Sequence, residues 1–327
     1  MIREELWEKV LVDPWKLGAN QLYIVSGYAS AAMVFHQYEE TNTDENLLNL
    51  HLIIGMAGRE GISLADHEGF RLLSDKHQGL FHCSYYTGKR PVHAKLFAWY
   101  CSDMPQTGFI GSANYSQNGF SDKQQEVMIP CEPKDVHEYY LELQQDSIIC
   151  TDPQAESLID IYVKEAVDGQ LPLSMRESRA AYNLIDLKNN EHIQTTFLKK
   201  NGELPTTSGL NWGQREGRDP NQAYIPVRAP INSSKFFPPE KDIFTVITDD
   251  DHIFFCTRAQ DKGKAIETPE SNSILGRYFR EKIGVPTGEP VKLADLQKYG
   301  RVDVDFYKID NEKYFMDFSV RRIDGGK

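Results

Sequence analysis

The feature that most constrains the fold of this chain is a change of pattern near residue 174. Before it, apolar runs such as residues 22–26 alternate with segments of helical periodicity, which predicts an α/β domain with a mixed sheet covered by helices. After it, short strand-like runs follow one another between polar turns, which predicts a mainly β, barrel-like domain. The length of 327 residues also suits two domains. We therefore predict domains over residues 1–175 and 176–327.

The same patterns predict the individual elements. Strands are expected at 22–26, 48–55, 80–86, 92–100, 108–111 and 126–129 in the first half, and at 224–227, 243–247, 252–257, 302–309 and 313–319 in the second. Helices are expected at 4–12, 29–35, 64–75, 134–146 and 154–168, and the second half offers one convincing helix, at 273–282.

Charge is distributed unevenly between the two halves. Residues 1–173 contain 12 Lys and Arg against 25 Asp and Glu, a net charge of −13, whereas residues 174–327 contain 24 against 23, a net charge of +1. The total of −12 therefore hides a second half that is far richer in basic residues. A nucleic-acid reader needs a basic face and not a basic average, so the asymmetry indicates two modules with different tasks.

Cysteine usage and hydropathy exclude several classes of protein. The five Cys are scattered and form no CxxC pair, which argues against a disulfide framework and a zinc knuckle and favours a reducing compartment. No apolar run approaches the roughly 18 residues of a membrane helix. The first residues are acidic and amphipathic, unlike a secretory signal. We expect a cytoplasmic protein without membrane partners.

Five side chains suited to phosphoryl chemistry fall in three short segments, HAK, GSAN and QEV: His93, Lys95, Ser112, Asn114 and Glu126. In a strand His93 and Lys95 point to one face, and Ser112 and Asn114 do likewise if their segment stays extended. A neutral imidazole can attack phosphorus, while ammonium, hydroxyl and amide groups bind the phosphate oxygens. A carboxylate such as Glu126 can hold the imidazole in one tautomer. None of these roles needs a metal.

The combination HxK…GSxN…E resembles the signature of the phospholipase D superfamily. The family pattern has an Asp five residues after the Lys, where this chain has Tyr100, and Asp103 is out of register. That Asp is usually a structural support, so its absence bears on local hydrogen bonds and not on the chemistry. The family's chemistry uses two histidines, and this chain has one HxK. The resemblance therefore implies a homodimer, formed through the first domain, with one shared active site.

The second half carries two clusters of side chains of the kind that read base edges, since Arg pairs with guanine and Gln or Asn with adenine. The first cluster lies in the Gly-rich segment 208–226 and consists of Asn211, Trp212, Gln214, Arg215, Arg218, Asn221 and Gln222. The second consists of Arg258, Gln260, Asp261, Lys262, Lys264 and Asn272. Each cluster alone also fits a solvated, flexible loop. Together on a barrel they resemble the two arms of a B3-like DNA-recognition domain.

A phospholipase-D-type domain followed by a B3-like domain resembles the NgoFVII-type restriction endonucleases, and the likeness covers essentially the whole chain. It implies site-specific cleavage of double-stranded DNA without a divalent metal or other cofactor. It also implies a companion methyltransferase and, in some systems, an ATP-driven translocase subunit. Two alternatives stay open. The first is a lipid phosphodiesterase, which is disfavoured by the cluster of Arg, Asn and Gln and by the lack of a basic membrane helix. The second is a catalytically idle DNA-binding regulator, which is disfavoured by the intact motif.

Overall fold

The computed structural model describes residues 1–41, 43, 46–162 and 190–320. The chain divides into two compact units, Met1–Ala181 and Tyr182–Lys327. The predicted boundary at residues 175 and 176 lies outside the described residues and stays a prediction. No helix among the described residues is long and apolar enough to cross a membrane.

The first unit is built on a mixed sheet, as the alternating pattern predicts. Its strands, within the described residues, are β1 (Gln21–Ser26), β2 (Asn49–Ile54), β3 (Ile62–Ser63), β4 (Phe81–Tyr86), β5 (Lys95–Cys101), β6 (Met104–Gly111), β7 (Met128–Cys131), β8 (Ser147–Ile149) and β9 (Ile161–Tyr162). Seven of them form one sheet in the order β7-β6-β5-β1-β2-β4-β8, and β3 pairs with β9. Strands β1, β2 and β4 are parallel, and the outer strands run antiparallel to their neighbours.

Helices cover this sheet. They are a π-helical turn (Trp7–Val12), α1 (Asp13–Lys16), α2 (Ala31–Thr41), α3 (Ala57–Glu60), α4 (Leu64–Lys76), α5 (Pro133–Gln144) and α6 (Ala155–Leu158). Helix α5 packs Val136, Tyr140 and Leu143 against the sheet face that carries Leu96 and Ala98. The other face is also covered, since Trp99 of β5 is fully buried and donates its indole N–H to the carbonyl of Val10 at 2.7 Å.

Several predicted elements have other bounds in the structure: the helix expected at 29–35 runs over Ala31–Thr41, and the strand expected at 108–111 begins at Met104. Two further predictions are wrong in part. The helix expected at 154–168 is wrong beyond Leu158, because the chain turns extended at Ile159 and Ile161–Tyr162 pairs with β3. Residues 163–168 lie outside the described residues. The strand expected at 92–100 begins only at Lys95. Residues 92–94 form a loop instead, in which the Val92 N–H donates to the carbonyl of Gly55 at 3.0 Å.

The second unit is a nearly closed, barrel-shaped sheet, in agreement with the predicted β class. Seven described strands follow the order β10-β15-β16-β12-β13-β14-β11. They are β10 (His192–Thr196), β11 (Ile225–Pro226), β12 (Ile243–Thr248), β13 (Ile253–Ala259), β14 (Ala265–Glu267), β15 (Asp303–Lys308) and β16 (Lys313–Asp317). The two end strands meet where the Thr195 hydroxyl of β10 donates to the Pro226 carbonyl of β11. Among the described residues of this unit, two α-helices accompany the sheet, the expected α7 (Ser273–Ile283) and an unforeseen α8 (Leu293–Tyr299), together with 3-10 helical turns at Gly209–Gln214 and Ile231–Ser233.

A buried arginine fastens helix α7 to the loop segment before β11. Arg280 is only 1% exposed, which is rare for an arginine and requires that its donors be satisfied. Its guanidinium donates to five backbone carbonyls at 2.9–3.3 Å, those of Leu210, Pro220, Asn221, Gly276 and Glu289. At Gly276 the loop comes so close that a Cβ atom would lie 1.5 Å from the Asn221 oxygen. The shape of segment 209–222 is therefore set by α7.

We predict that Arg280→Met destabilises the second unit by on the order of 3 kcal/mol, because several buried carbonyls lose their donor at once. The matched control is Arg277→Met on the exposed side of the same helix, which should leave the unfolding midpoint nearly unchanged. Chemical denaturation of the full chain measures both. Equal midpoints for the two variants would mean that Arg280 does not hold the loop.

Candidate active site and recognition arms

The motif residues gather at the end of the first sheet where β1 ends and β5 begins. Lys95 is the first residue of β5, and His93 stands in the loop before it. Ser112 and Asn114 follow the last residue of β6, and Glu126 precedes β7. We expected His93 and Lys95 to lie on one face of a strand. This expectation is wrong, because His93 precedes the strand.

His93 and Lys95 are nevertheless held together. The Lys95 Nζ donates to the backbone carbonyl of His93 at 2.7 Å, and the Lys95 residue is 6% exposed whereas His93 is exposed. Gly27, the residue after β1, lies against both: a Cβ atom there would stand 2.9 Å from His93 Cδ2 and 3.2 Å from Lys95 Nζ. Only glycine leaves this space free for the imidazole and the ammonium.

Burial lowers the pKa of the Lys95 ammonium below its ordinary value, and the nearby Glu126 carboxylate opposes this shift. The balance matters because a lysine binds phosphate only while it carries its charge. The Glu126 carboxylate therefore favours the charged form of Lys95.

The structure gives Glu126 a different partner from the one expected. Among the described residues, its carboxylate accepts a hydrogen bond from the Ser112 hydroxyl and none from His93. The Ser112 Oγ also accepts the Val127 N–H at 3.0 Å, and the Ser112 N–H donates to the Val127 carbonyl at 3.0 Å. Ser112 thus joins the end of β6 to the segment before β7. The tautomer-holding role of Glu126 stays a prediction.

Residues 26–28 bring the second motif to the first, which sequence reasoning did not foresee. The Ser26 hydroxyl accepts the Tyr115 N–H at 3.0 Å and donates to the Tyr28 carbonyl at 2.6 Å. The Tyr28 N–H donates to Asn114 Oδ1 at 3.2 Å. The signal in the sequence was the Ser-Gly pair that ends a buried apolar run, because a glycine at a strand end often marks a close approach of backbone.

Tyr100, which stands where the family pattern has an Asp, belongs to the core. Its ring lies under α5, edge-on to Tyr23 and near His137, and its hydroxyl donates to the Pro133 carbonyl at 3.4 Å. Asp103 is exposed in the turn between β5 and β6. Neither the Tyr100 phenol nor the Asp103 carboxylate reaches the motif side chains.

The first arm, residues 208–222, presents an exposed tip. The guanidinium of Arg218 lies 4.0 Å from the ring centre of Trp212 and donates to Gln222 Oε1 at 2.8 Å, so its position is fixed on both sides. Arg215 is also exposed, with its Nε donating to the Thr207 carbonyl at 2.8 Å. Gln214 bonds the carbonyls of Pro220 and Gly288 and so closes the arm on itself.

The second arm, residues 258–272, turns around Arg258. This guanidinium is buried and donates to the carbonyls of Asn232, Pro238, Lys262 and Gly263. Gln260, Asp261, Lys262 and Lys264 are exposed on the turn. Glu267 accepts from Gln260 at 2.7 Å and from Asn272 at 3.2 Å, and Lys264 pairs with Asp261 at 3.0 Å.

The predicted arm residues differ in burial, and four of them are half-buried: Trp212, Gln214, Gln222 and Asn272. Asn211 and Asn221 are buried, and Asn211 bonds the backbone of Pro205 and Val291 while Asn221 accepts the Gly288 N–H. Like Arg258, these side chains support the arms from inside and are not presented to a ligand in this conformation. The exposed members are the ones available for contact: Arg215, Arg218, Gln260, Asp261, Lys262 and Lys264.

Family models match both units. Residues 4–157 match the N-terminal phospholipase D domain of the NgoFVII restriction endonuclease, and residues 186–310 match the NgoFVII C-terminal B3-like DNA-binding domain. No curated protein sequence gives a significant match to the chain.

Together the two matches define a DNA-cleaving enzyme, a nuclease domain followed by a DNA-binding domain. The chain belongs to the NgoFVII restriction endonuclease family. It is accordingly a hydrolase of DNA phosphodiester bonds, and the lipid and regulator alternatives lose their support.

We predict that Gly27→Ala lowers the rate of DNA cleavage by about tenfold, because a methyl group would displace the imidazole and ammonium by a few tenths of an ångström. Stability should change little, since the displaced atoms are the ends of side chains. Gly55→Ala is the matched contrast: Gly55 directly follows the neighbouring parallel strand β2, and its Cβ would lie 2.1 Å from the Val92 backbone oxygen. That variant should lose stability as measured by thermal unfolding. Full activity of Gly27→Ala would remove this role from Gly27.

Proposed function

We propose that this restriction endonuclease cleaves double-stranded DNA at specific sites by a metal-independent phosphohistidine mechanism, in one active site shared by a homodimer. The observation that carries the proposal is the assembly of His93, Lys95, Ser112 and Asn114 at the end of one sheet. This set of imidazole, ammonium, hydroxyl and amide suits a phosphate group. Two-metal hydrolysis would instead require clustered carboxylates, of which the motif supplies one, Glu126.

In the proposed reaction the exposed imidazole of His93 attacks phosphorus, and the bond from phosphorus to the leaving oxygen breaks. The partner subunit's His93 protonates that oxygen as general acid. It then takes a proton from a water molecule that attacks the phosphohistidine, which regenerates the free imidazole. Lys95 and Asn114 bind the oxygens on which negative charge builds in the transition state.

The dimer is supported by the chemistry and by the surface beside the motif. Each chain supplies one HxK, whereas the reaction uses a nucleophile and an acid. Ile110 and Ile129 are paired across β6 and β7, close along the chain to Ser112 and Glu126, and are 46% and 43% exposed. An exposed apolar pair at this position fits a surface that a second copy covers.

For recognition, we propose that both arms enter the major groove. Arg218 is the best-prepared base reader because Trp212 and Gln222 already fix its planar fork. Lys262 is exposed at the tip of the second arm and suits a phosphate contact. The companion methyltransferase and translocase subunit are implied by the family likeness alone.

His93→Ala should abolish cleavage while leaving specific DNA binding nearly intact, because the nucleophile contributes little to ground-state affinity. Cleavage of a plasmid with one site is measured in excess chelator, where the native enzyme should stay active. A mixing experiment tests whether the active site is shared. After subunit exchange between equal amounts of native and His93→Ala protein, only the native homodimers, about a quarter of all dimers, should be active. If each subunit acted alone, about half of the native activity per subunit should remain. Native-rate cleavage by His93→Ala, or activity that only magnesium restores, would contradict the mechanism.

Arg218→Ala should cost about 1–3 kcal/mol of specific binding and relax preference at one base pair, since a bidentate contact is lost. The background is His93→Ala, so that DNA stays uncut during mobility-shift measurements. Arg218→Lys keeps the charge but not the fork and should lose most of the same specificity.

The matched control for Arg218 is Lys262→Ala on the other arm. It should weaken binding to cognate and scrambled duplexes alike. It should also reduce the slope of log affinity against log salt concentration by about one, because one phosphate contact is lost. Equal losses on both duplexes for Arg218→Ala would assign Arg218 to the phosphate backbone instead.

A further inference from the structure

We propose that Tyr28 is a positioning residue that holds the imidazole of His93 in the orientation from which it attacks phosphorus. The inference rests on the proposed function, because it assigns a role within the same site. Tyr28 lies outside both motifs, directly after the Gly27 that makes room for His93 and Lys95.

The contact between the two rings carries the proposal. The ring centres of Tyr28 and His93 are 5.7 Å apart and the ring planes meet at 79°, an edge-to-face arrangement. Aromatic pairs prefer this geometry, and a ring on one side restricts the rotation of the other. His93 is exposed and stands in the loop before the strand, and its neighbour Gly27 has no side chain, so an aromatic ring beside the imidazole adds a restraint on its rotamer.

The Tyr28 ring is itself fixed at both ends. At the backbone, its N–H donates to Asn114 Oδ1 at 3.2 Å and its carbonyl accepts the Ser26 hydroxyl at 2.6 Å. At the far end, its phenol donates to the carboxylate of Glu60. Glu60 ends helix α3, where Gly58 packs so closely that a Cβ atom would lie 2.4 Å from the Tyr86 carbonyl oxygen. A ring held in this way can transmit orientation to a neighbouring side chain.

The chemistry needs such a group. A histidine nucleophile is effective only when its ring nitrogen points at the phosphorus, and misplacement by about 1 Å can cost on the order of 100-fold in rate. In many active sites a carboxylate supplies the orientation. Within the described part of this chain, Glu126 accepts the hydrogen bond of the Ser112 hydroxyl, and Tyr28 packs its ring against the imidazole.

The test compares Tyr28→Ala, Tyr28→Leu and Tyr28→Phe in the full chain by steady-state cleavage of a cognate duplex. Phe keeps the ring against His93 and loses only the phenol, so it should retain most of the native kcat. Ala and Leu remove the aromatic ring and should lower kcat by about tenfold or more, with KM changed less than about twofold, because orientation acts on the chemical step. Tyr28 is 39% exposed, so all three variants should unfold at nearly the native temperature.

The anchor is tested by Glu60→Ala. In this proposal Glu60 acts only through its hydrogen bond with the Tyr28 phenol. The kcat of the double variant Glu60→Ala with Tyr28→Phe should therefore be no lower than the lower kcat of the two single variants. A native kcat for Tyr28→Ala would overturn the proposal. A raised KM with unchanged kcat would overturn it as well, because the ring would then contact DNA and not position His93. These outcomes leave the phosphohistidine mechanism standing, since that depends on the separate result for His93→Ala.

Discussion

The geometry of the candidate active site depends on how the chain leaves strand β1. Ser26 uses one hydroxyl to bind the segment of the second motif and the following turn, and Gly27 leaves room for the first motif. The two motif segments therefore meet around three backbone positions that lie much earlier in the chain. A side chain at position 27 would separate them, whatever the identity of His93 and Lys95. The motif residues supply the reactive groups, and the end of β1 sets the distances between them.

A buried guanidinium plays the equivalent part in the DNA-binding unit. Loops that carry exposed Arg and Lys are expected to be flexible, and flexible loops lose entropy when they bind. Here Arg280 ties the first arm to α7, and Arg258 ties the second arm to its own turn. Both arms thus hold their shape before any ligand arrives. Because the two buried arginines satisfy backbone carbonyls, they cannot serve as contacts themselves.

This explains what could be predicted from the sequence and what could not. Periodicity found most strands of both sheets because buried strands are short apolar runs, but it missed the short strands β8, β10 and β14. The spacing of HxK and GSxN identified the motif residues. Burial was not foreseeable: Arg258 and Arg218 look alike in the sequence, yet only Arg218 is exposed. The helix predicted after Leu158 failed because pairing with β3, a tertiary contact, outweighs local propensity. Tyr28 was missed because ring contacts between distant residues leave no periodic trace.

The charge asymmetry between the halves then has a physical consequence for specificity. Residues 1–173 carry a net charge of −13, so the nuclease unit has little general attraction for a polyanion beyond its motif side chains. Affinity must come mainly from the other half, where basic residues are twice as many. A cutting unit that binds DNA poorly by itself acts mainly where the recognition unit holds it, which suppresses cleavage elsewhere. Under the proposed site-specific cleavage, the net negative charge of residues 1–173 weakens the competing, non-specific complex.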